Sequence, residues 1–99
     1  MRGYYPNVPT TVRIVVYPPY RNVIGSDVID LPLDHGITLR ELLLRLGERY
    51  APFGELANAR TDEFLWGQLT VHVNEELAGL ATVLQPDDRI DLMPPIAGG

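Results

Sequence analysis

Gln85-Pro86-Asp87-Asp88-Arg89-Ile90-Asp91-Leu92-Met93-Pro94-Pro95-Ile96-Ala97-Gly98-Gly99 reads as a turn, a strand, a stiff spacer and a thin tail. Pro-Asp-Asp is turn chemistry, because proline presets φ and aspartate side chains satisfy nearby backbone donors. The next residues alternate. Ile90 and Leu92 face one way and Arg89, Asp91 and Met93 the other, the pattern of a half-buried strand. Pro94-Pro95 cannot donate to a ladder and favours an extended, polyproline-like exit. Ala97, Gly98 and Gly99 follow on a segment thin enough to thread a narrow channel, since glycine has no Cβ. A carboxylate at Gly99 is ionised near neutral pH and can attack an activated phosphate.

Working outward, Thr11 to Tyr17 is β-branched and aromatic and stops at Pro18-Pro19, so a first strand is expected there. A loop through Asn22, Gly25 and Ser26 leads to a second strand, Asp27 to Leu31, completing a hairpin. Asp34-His35-Gly36 reads as a turn. Thr38 with Glu41 three residues later matches a reciprocal capping box, and Leu39, Leu42, Leu43, Leu46 and Tyr50 then recur at helical spacing, with Leu44 off the stripe. Gly47 implies a close backbone approach or an early helix end, and Pro52 is expected to terminate the element. From Phe53 to Gly67 the pattern is weak: a helical turn around Glu55 to Ala59 is the expectation, with Trp66 against the rim of the core rather than anchoring a partner. Leu69 to Val73 is a strand with Leu69, Val71 and Val73 on one face. Leu77 to Leu84 provides a short edge pairing and a turn.

The segments Val71-His72-Val73-Asn74, Thr82 to Ile90 and Pro94-Pro95-Ile96-Ala97-Gly98-Gly99 together resemble the ubiquitin-like sulfur-carrier family, over about Thr11 to Gly99. That family includes the molybdopterin synthase small subunit and the sulfur carriers of thiamine and cysteine biosynthesis. The Pro-Pro-hydrophobic-small-Gly-Gly ending is most similar to the molybdopterin synthase type. Two positions depart from the pattern: Glu75-Glu76 follows Asn74 where the family often has glycine, and Asp87 stands where many members have glycine. The resemblance implies an α+β fold of the β-grasp (ubiquitin-like) type, a mixed sheet packed on one main helix with a flexible C-terminal tail. Residues 1–10 are then a mobile leader, 11–93 the β-grasp domain and 94–99 the tail.

Composition agrees with one small domain. Ninety-nine residues with 45% hydrophobic content suffice for a single core. No apolar run approaches the roughly 20 residues that span a bilayer, and residues 1–9 do not resemble a signal peptide. Cysteine is absent, which removes disulfides, thiolate nucleophiles and Cys-ligated metal; a cytoplasmic address is the default. The net charge of −5 argues against nucleic acid and for steering toward a basic partner surface. All eight basic residues are arginine. With no lysine, the chain has no internal amine for its own activated terminus to acylate.

Other chemistries find no support in the residues. His35 and His72 lack the spacing of zinc ligands, and no metal is expected. Asp87, Asp88 and Asp91 lack the loop pattern of a calcium site, and Ser26, the sole serine, has no nearby histidine to activate it. There is no phosphate-cradling glycine loop. The chain therefore reads as a carrier and substrate of other enzymes, not itself an enzyme, with no bound cofactor.

The resemblance implies that a ubiquitin-activating-type enzyme uses ATP to adenylate Gly99 and that sulfur then replaces the adenylate to give a thiocarboxylate. Gly98 and Gly99 carry that chemistry, and Pro94, Pro95, Ile96 and Ala97 set its reach. The acceptor is a partner such as the molybdopterin synthase large subunit. Sulfur donation to cysteine, thiamine or tRNA, conjugation to other proteins, and an inert interaction module are the alternatives. One sheet face is expected to cover the helix through Ile14, Val71, Val73, Ile90 and Leu92. The other then presents Val15, Tyr17, His72 and Met93, of which Val15, His72 and Met93 are the expected partner contacts.

Overall fold

The computed structural model describes residues 11–33 and 35–95. The leader expected over residues 1–10 and tail residues Ile96, Ala97, Gly98 and Gly99 lie outside that range, as does Asp34 of the expected turn.

Alternation in the first and last strands builds the sheet. β1 (Thr11–Val16) buries Val12, Ile14 and Val16. β7 (Arg89–Met93) buries Ile90 and Leu92, both with no exposed surface. The two run parallel, with Ile14 opposite Ile90, so their apolar sides coincide. β2 (Val28–Pro32) closes the hairpin on β1, while β4 (Thr70–Val73) and the short β5 (Glu76–Leu77) extend the other side. The sheet order is β2-β1-β7-β4-β5, which makes β7 the central strand. A separate two-stranded ladder joins β3 (Ile37–Thr38) to β6 (Val83–Leu84).

The main helix α2 (Leu39–Gly47) starts at the predicted box. Glu41 N–H donates to Thr38 Oγ1 at 3.2 Å, and Thr38 N–H donates back to Glu41 Oε1 at 2.8 Å. That backbone hydrogen bond, with the threonine hydroxyl second, holds the Glu41 carboxyl below its ordinary value. Leu39, Leu42, Leu43 and Leu46 are buried against the sheet and Leu44 is exposed, as the spacing requires. Each fully buried leucine is worth about 1.5–3 kcal/mol relative to an exposed one.

Tyr50 and Pro52 depart from the sequence expectation. α2 ends at Gly47, and Tyr50 is the N-cap of a new helix, α3 (Ala51–Leu56). Pro52 starts this helix instead of terminating α2, because a proline in the first turn sacrifices no intrahelical hydrogen bond. The turn expected over Glu55 to Ala59 is thus the end of α3 and its exit. Gly47 and Gly54 bring α2 and α3 into backbone contact, their Cα atoms too close for a side chain at Gly47.

The loop expected between β1 and β2 contains a one-turn helix, α1 (Tyr20–Ile24), closed by Gly25 at φ 83°. Tyr20 fixes it to the body: its hydroxyl donates to Gln68 O at 2.7 Å and its ring lies 5.4 Å from that of Phe53. A second short helix, α4 (Asp62–Trp66), was not anticipated. Thr61 caps it, and Asp62 and Glu63 sit in its first turn, where acidic charge suits the helix dipole. Trp66 lies at the core rim as expected, donating Nε1–H to Ala78 O at 2.9 Å.

Both departures from the family's glycines fall in left-handed backbone, with Glu75 at φ 75° and Asp87 at φ 74°. The two turns are tied together by side chains. Asn74 Nδ2 donates to Asp88 Oδ1 at 2.9 Å, and Asn74 Oδ1 accepts from Arg89 N at 3.0 Å. Asp88 Oδ2 also accepts from Gln85 N at 2.7 Å.

Candidate functional site

β7 is paired on both sides until its last residue, so the chain that follows it is launched from the middle of the sheet. On the β1 side, Tyr17 N–H donates to Leu92 O at 2.9 Å. On the β4 side, Thr70 stands opposite Met93. Beyond Met93 the prolines offer no N–H, and backbone pairing stops. One contact goes further: Thr70 Oγ1–H donates to Pro94 O at 2.7 Å from a residue only 2% exposed.

The sheet's outer face is fixed by register. Val28, Val15, Asp91, His72 and Leu77 form one row across all five strands. Val15 and His72 therefore flank Asp91 directly, and Met93 lies two residues further along β7 on the same face. Val15, Tyr17, His72 and Met93 are all half-buried. Val28 and Leu77, at 40% and 42% exposed, place apolar groups at the two edges of the row.

The apolar face expected from the sequence needs one correction. Its centre is a carboxylate: the Asp91 side chain is only 11% exposed, and its Oδ1 accepts from Arg89 Nε at 3.0 Å. Arg89 is two residues back on the same face, as strand periodicity requires. The hydrogen bond and charge of Asp91 hold the guanidinium proton more firmly than usual. His72 Nδ1 is buried beside this pair without a hydrogen-bond partner. The face thus combines an apolar surround with a charged, hydrogen-bonding middle, a composition suited to orienting a partner as well as holding it.

Thr70 was missed in the sequence. The available signal was the alternation that puts Thr70 on the same face as His72, next to two prolines that cannot complete a ladder. Among the described residues there is no cluster of His, Cys, Asp and Glu that could hold a metal. No helix in that range is long and apolar enough to cross a membrane.

A mixed five-stranded sheet over one main helix, with its central last strand running into a diproline, defines the chain as a ubiquitin-like β-grasp protein. It belongs to the ThiS family, whose model matches residues 14–99. Solved structures with the same fold include a putative molybdopterin converting factor subunit 1 from Pyrococcus furiosus, at 22% identity and TM-score 0.72, covering 88% of this chain and 99% of that one. SAMP1 from Haloferax volcanii is similar at 22% identity and TM-score 0.68, covering 90% and 99%. The small archaeal modifier protein 1 from Methanosarcina acetivorans gives 22% identity and TM-score 0.67, covering 94% and 100%. No curated protein matches the chain.

Proposed function

We propose that the protein is a sulfur carrier whose Gly99 carboxylate is adenylated and then converted to a thiocarboxylate. The observation that carries this reading is the family match running through Gly98 and Gly99, the two residues on which the chemistry depends. A carboxylate is a poor electrophile until one oxygen becomes a good leaving group. A ubiquitin-activating-type enzyme supplies that change: a Gly99 oxygen attacks the α-phosphate of ATP, pyrophosphate leaves, and an acyl adenylate forms. The terminal sulfur of a donor persulfide attacks the acyl carbon and expels AMP. A second thiol then cleaves the resulting acyl disulfide, leaving the thiocarboxylate and an oxidised donor.

This reading divides the labour between body and tail. The folded body supplies recognition through Val15, His72 and Met93 on the outer face, and Pro94 to Ala97 set the distance over which Gly99 is delivered. The preferred destination is the large subunit of a molybdopterin synthase, in the cytoplasm, with this chain as its non-catalytic small subunit. ATP belongs to the activating partner.

A second reading, protein modification, draws on the small archaeal modifier proteins among the similar structures. Here a lysine amine of another protein captures the adenylate-derived acyl group. The lysine-free sequence would exclude chains linked through internal lysines of this protein.

The test is mass spectrometry after incubation with the activating enzyme, ATP and a sulfur donor. The carrier reading requires a gain equal to one oxygen replaced by sulfur, localised to Gly99, and its loss on deleting Gly99 with no change in melting temperature. Isopeptide-linked adducts without any thiocarboxylate would establish the modifier reading in its place.

A further inference from the structure

The geometry points to Thr70 as the residue that positions the tail for activation, by pinning the Pro94 carbonyl where the prolines forbid further strand pairing. This rests on the carrier reading above. The Thr70 hydroxyl donates to Pro94 O at 2.7 Å from a residue only 2% exposed, while Pro94 itself is exposed, so the donor is buried and the acceptor lies at the surface. Burial of the donor makes it costly to leave that hydroxyl without this acceptor.

The consequences for the tail are geometric. Proline rings hold φ near −65° at both Pro94 and Pro95, leaving ψ as the free torsion of each. Fixing the direction of the Pro94 carbonyl fixes ψ of Pro94, and with it the direction in which Pro95 departs. The first free torsion is then ψ of Pro95. From there the four residues Ile96 to Gly99 reach at most about 13–14 Å. A pinned root fixes the direction in which the chain leaves the sheet at Pro94. Confinement before docking lowers the ordering entropy that must be lost when the carboxylate meets ATP.

Thr70 has the right neighbours for this task. It stands opposite Met93 and shares a strand face with His72, so the pin lies at the edge of the surface proposed to contact the activating enzyme. On the β1 side the last ladder bond, Tyr17 N–H to Leu92 O at 2.9 Å, ends two residues before Pro94. Among the described hydrogen bonds, the one from Thr70 is the contact that reaches the spacer. It does not touch the reacting atoms, and its role is positioning.

Thr70→Val removes the hydroxyl with little change of volume, and Thr70→Ser keeps the hydroxyl and drops the methyl. Each variant and the wild type are assayed with the activating enzyme of the same organism and ATP, reading adenylate formation by pyrophosphate release. Binding to that enzyme without ATP is measured by calorimetry. A hydrogen bond of ordinary net strength corresponds to about two- to tenfold in rate. The expected result is a fall of about that size in kcat for Thr70→Val, with the dissociation constant within twofold of wild type and kcat restored in Thr70→Ser. A Thr70→Val rate equal to that of an active wild type overturns the positioning role alone. So does a loss that appears wholly in the dissociation constant, which would make Thr70 a docking contact, or one that Thr70→Ser fails to restore. A wild type that forms no adenylate overturns the carrier reading and this inference together.

Discussion

Gly47 offers a sharp test of the packing that supports the carrier body. A Cβ at residue 47 would lie 2.5 Å from Gly54 Cα and 2.6 Å from Gly54 N. Carbon atoms prefer roughly 3.5–4.0 Å, so the contact is short by about 1 Å. Both atoms belong to backbone and cannot rotate away, so α3 must shift as a unit. That movement loosens Phe53 and Leu56, which are 0% and 6% exposed. Overpacking of this kind costs about 1–3 kcal/mol, against a gain of about 0.5–1 kcal/mol from replacing a helical glycine by alanine. Because both clashing atoms are backbone, the cost falls at the upper end, about 2–3 kcal/mol, and the net effect of Gly47→Ala is a loss of about 1–2.5 kcal/mol, or roughly 4–20 °C in melting temperature for a domain of this size. Gly54→Ala makes the control. Its added Cβ meets only Gly47 Cα at 3.6 Å, an ordinary contact, so the helix gain should leave stability unchanged or slightly raised. Thermal unfolding followed by circular dichroism measures both. A Gly47→Ala protein as stable as wild type, or a Gly54→Ala protein that is the less stable of the two, would refute the asymmetric approach of α2 and α3.

Glu75→Gly should raise the melting temperature by a few degrees, because relief of left-handed strain, about 1–2 kcal/mol, exceeds glycine's entropic penalty of about 0.5–1 kcal/mol; differential scanning calorimetry checks it, and a lower value would show that the Glu75 side chain stabilises the turn. Met93→Arg should weaken association with the activating enzyme at least tenfold, the equivalent of about 1.4 kcal/mol, while thermal stability changes little. Surface plasmon resonance with a parallel melting curve tests this, and a large loss of stability would place Met93 in the core and remove it from the docking face.

The sequence by itself determined the parts of this protein whose cause is local. The capping box at Thr38 and Glu41 needs only a separation of three residues, and the leucine stripe of α2 needs only helical periodicity. Alternation in β1 and β7 decided which residues face the core, and two adjacent prolines decided where β7 must stop pairing. The ending at Gly98 and Gly99 is likewise read from adjacent residues, and the chemistry proposed for it rests on the family. Short helices escaped because a single turn shows no periodicity: α1 and α4 have five residues each. Pro52 was misread because the same missing N–H that ends one helix can begin another.

Tertiary structure decided what depends on register and distance. Asp91 became the centre of the outer face only when β7 took its place between β1 and β4, opposite Val15 and His72. Alternation alone puts Asp91 on the outer side, but the residues that stand beside it are set by the register between strands, and nothing within a single strand fixes that register. Thr70 reaches Pro94 across 24 residues of sequence. Its hydroxyl acquires a role because the sheet brings it beside a carbonyl whose own strand has run out of donors.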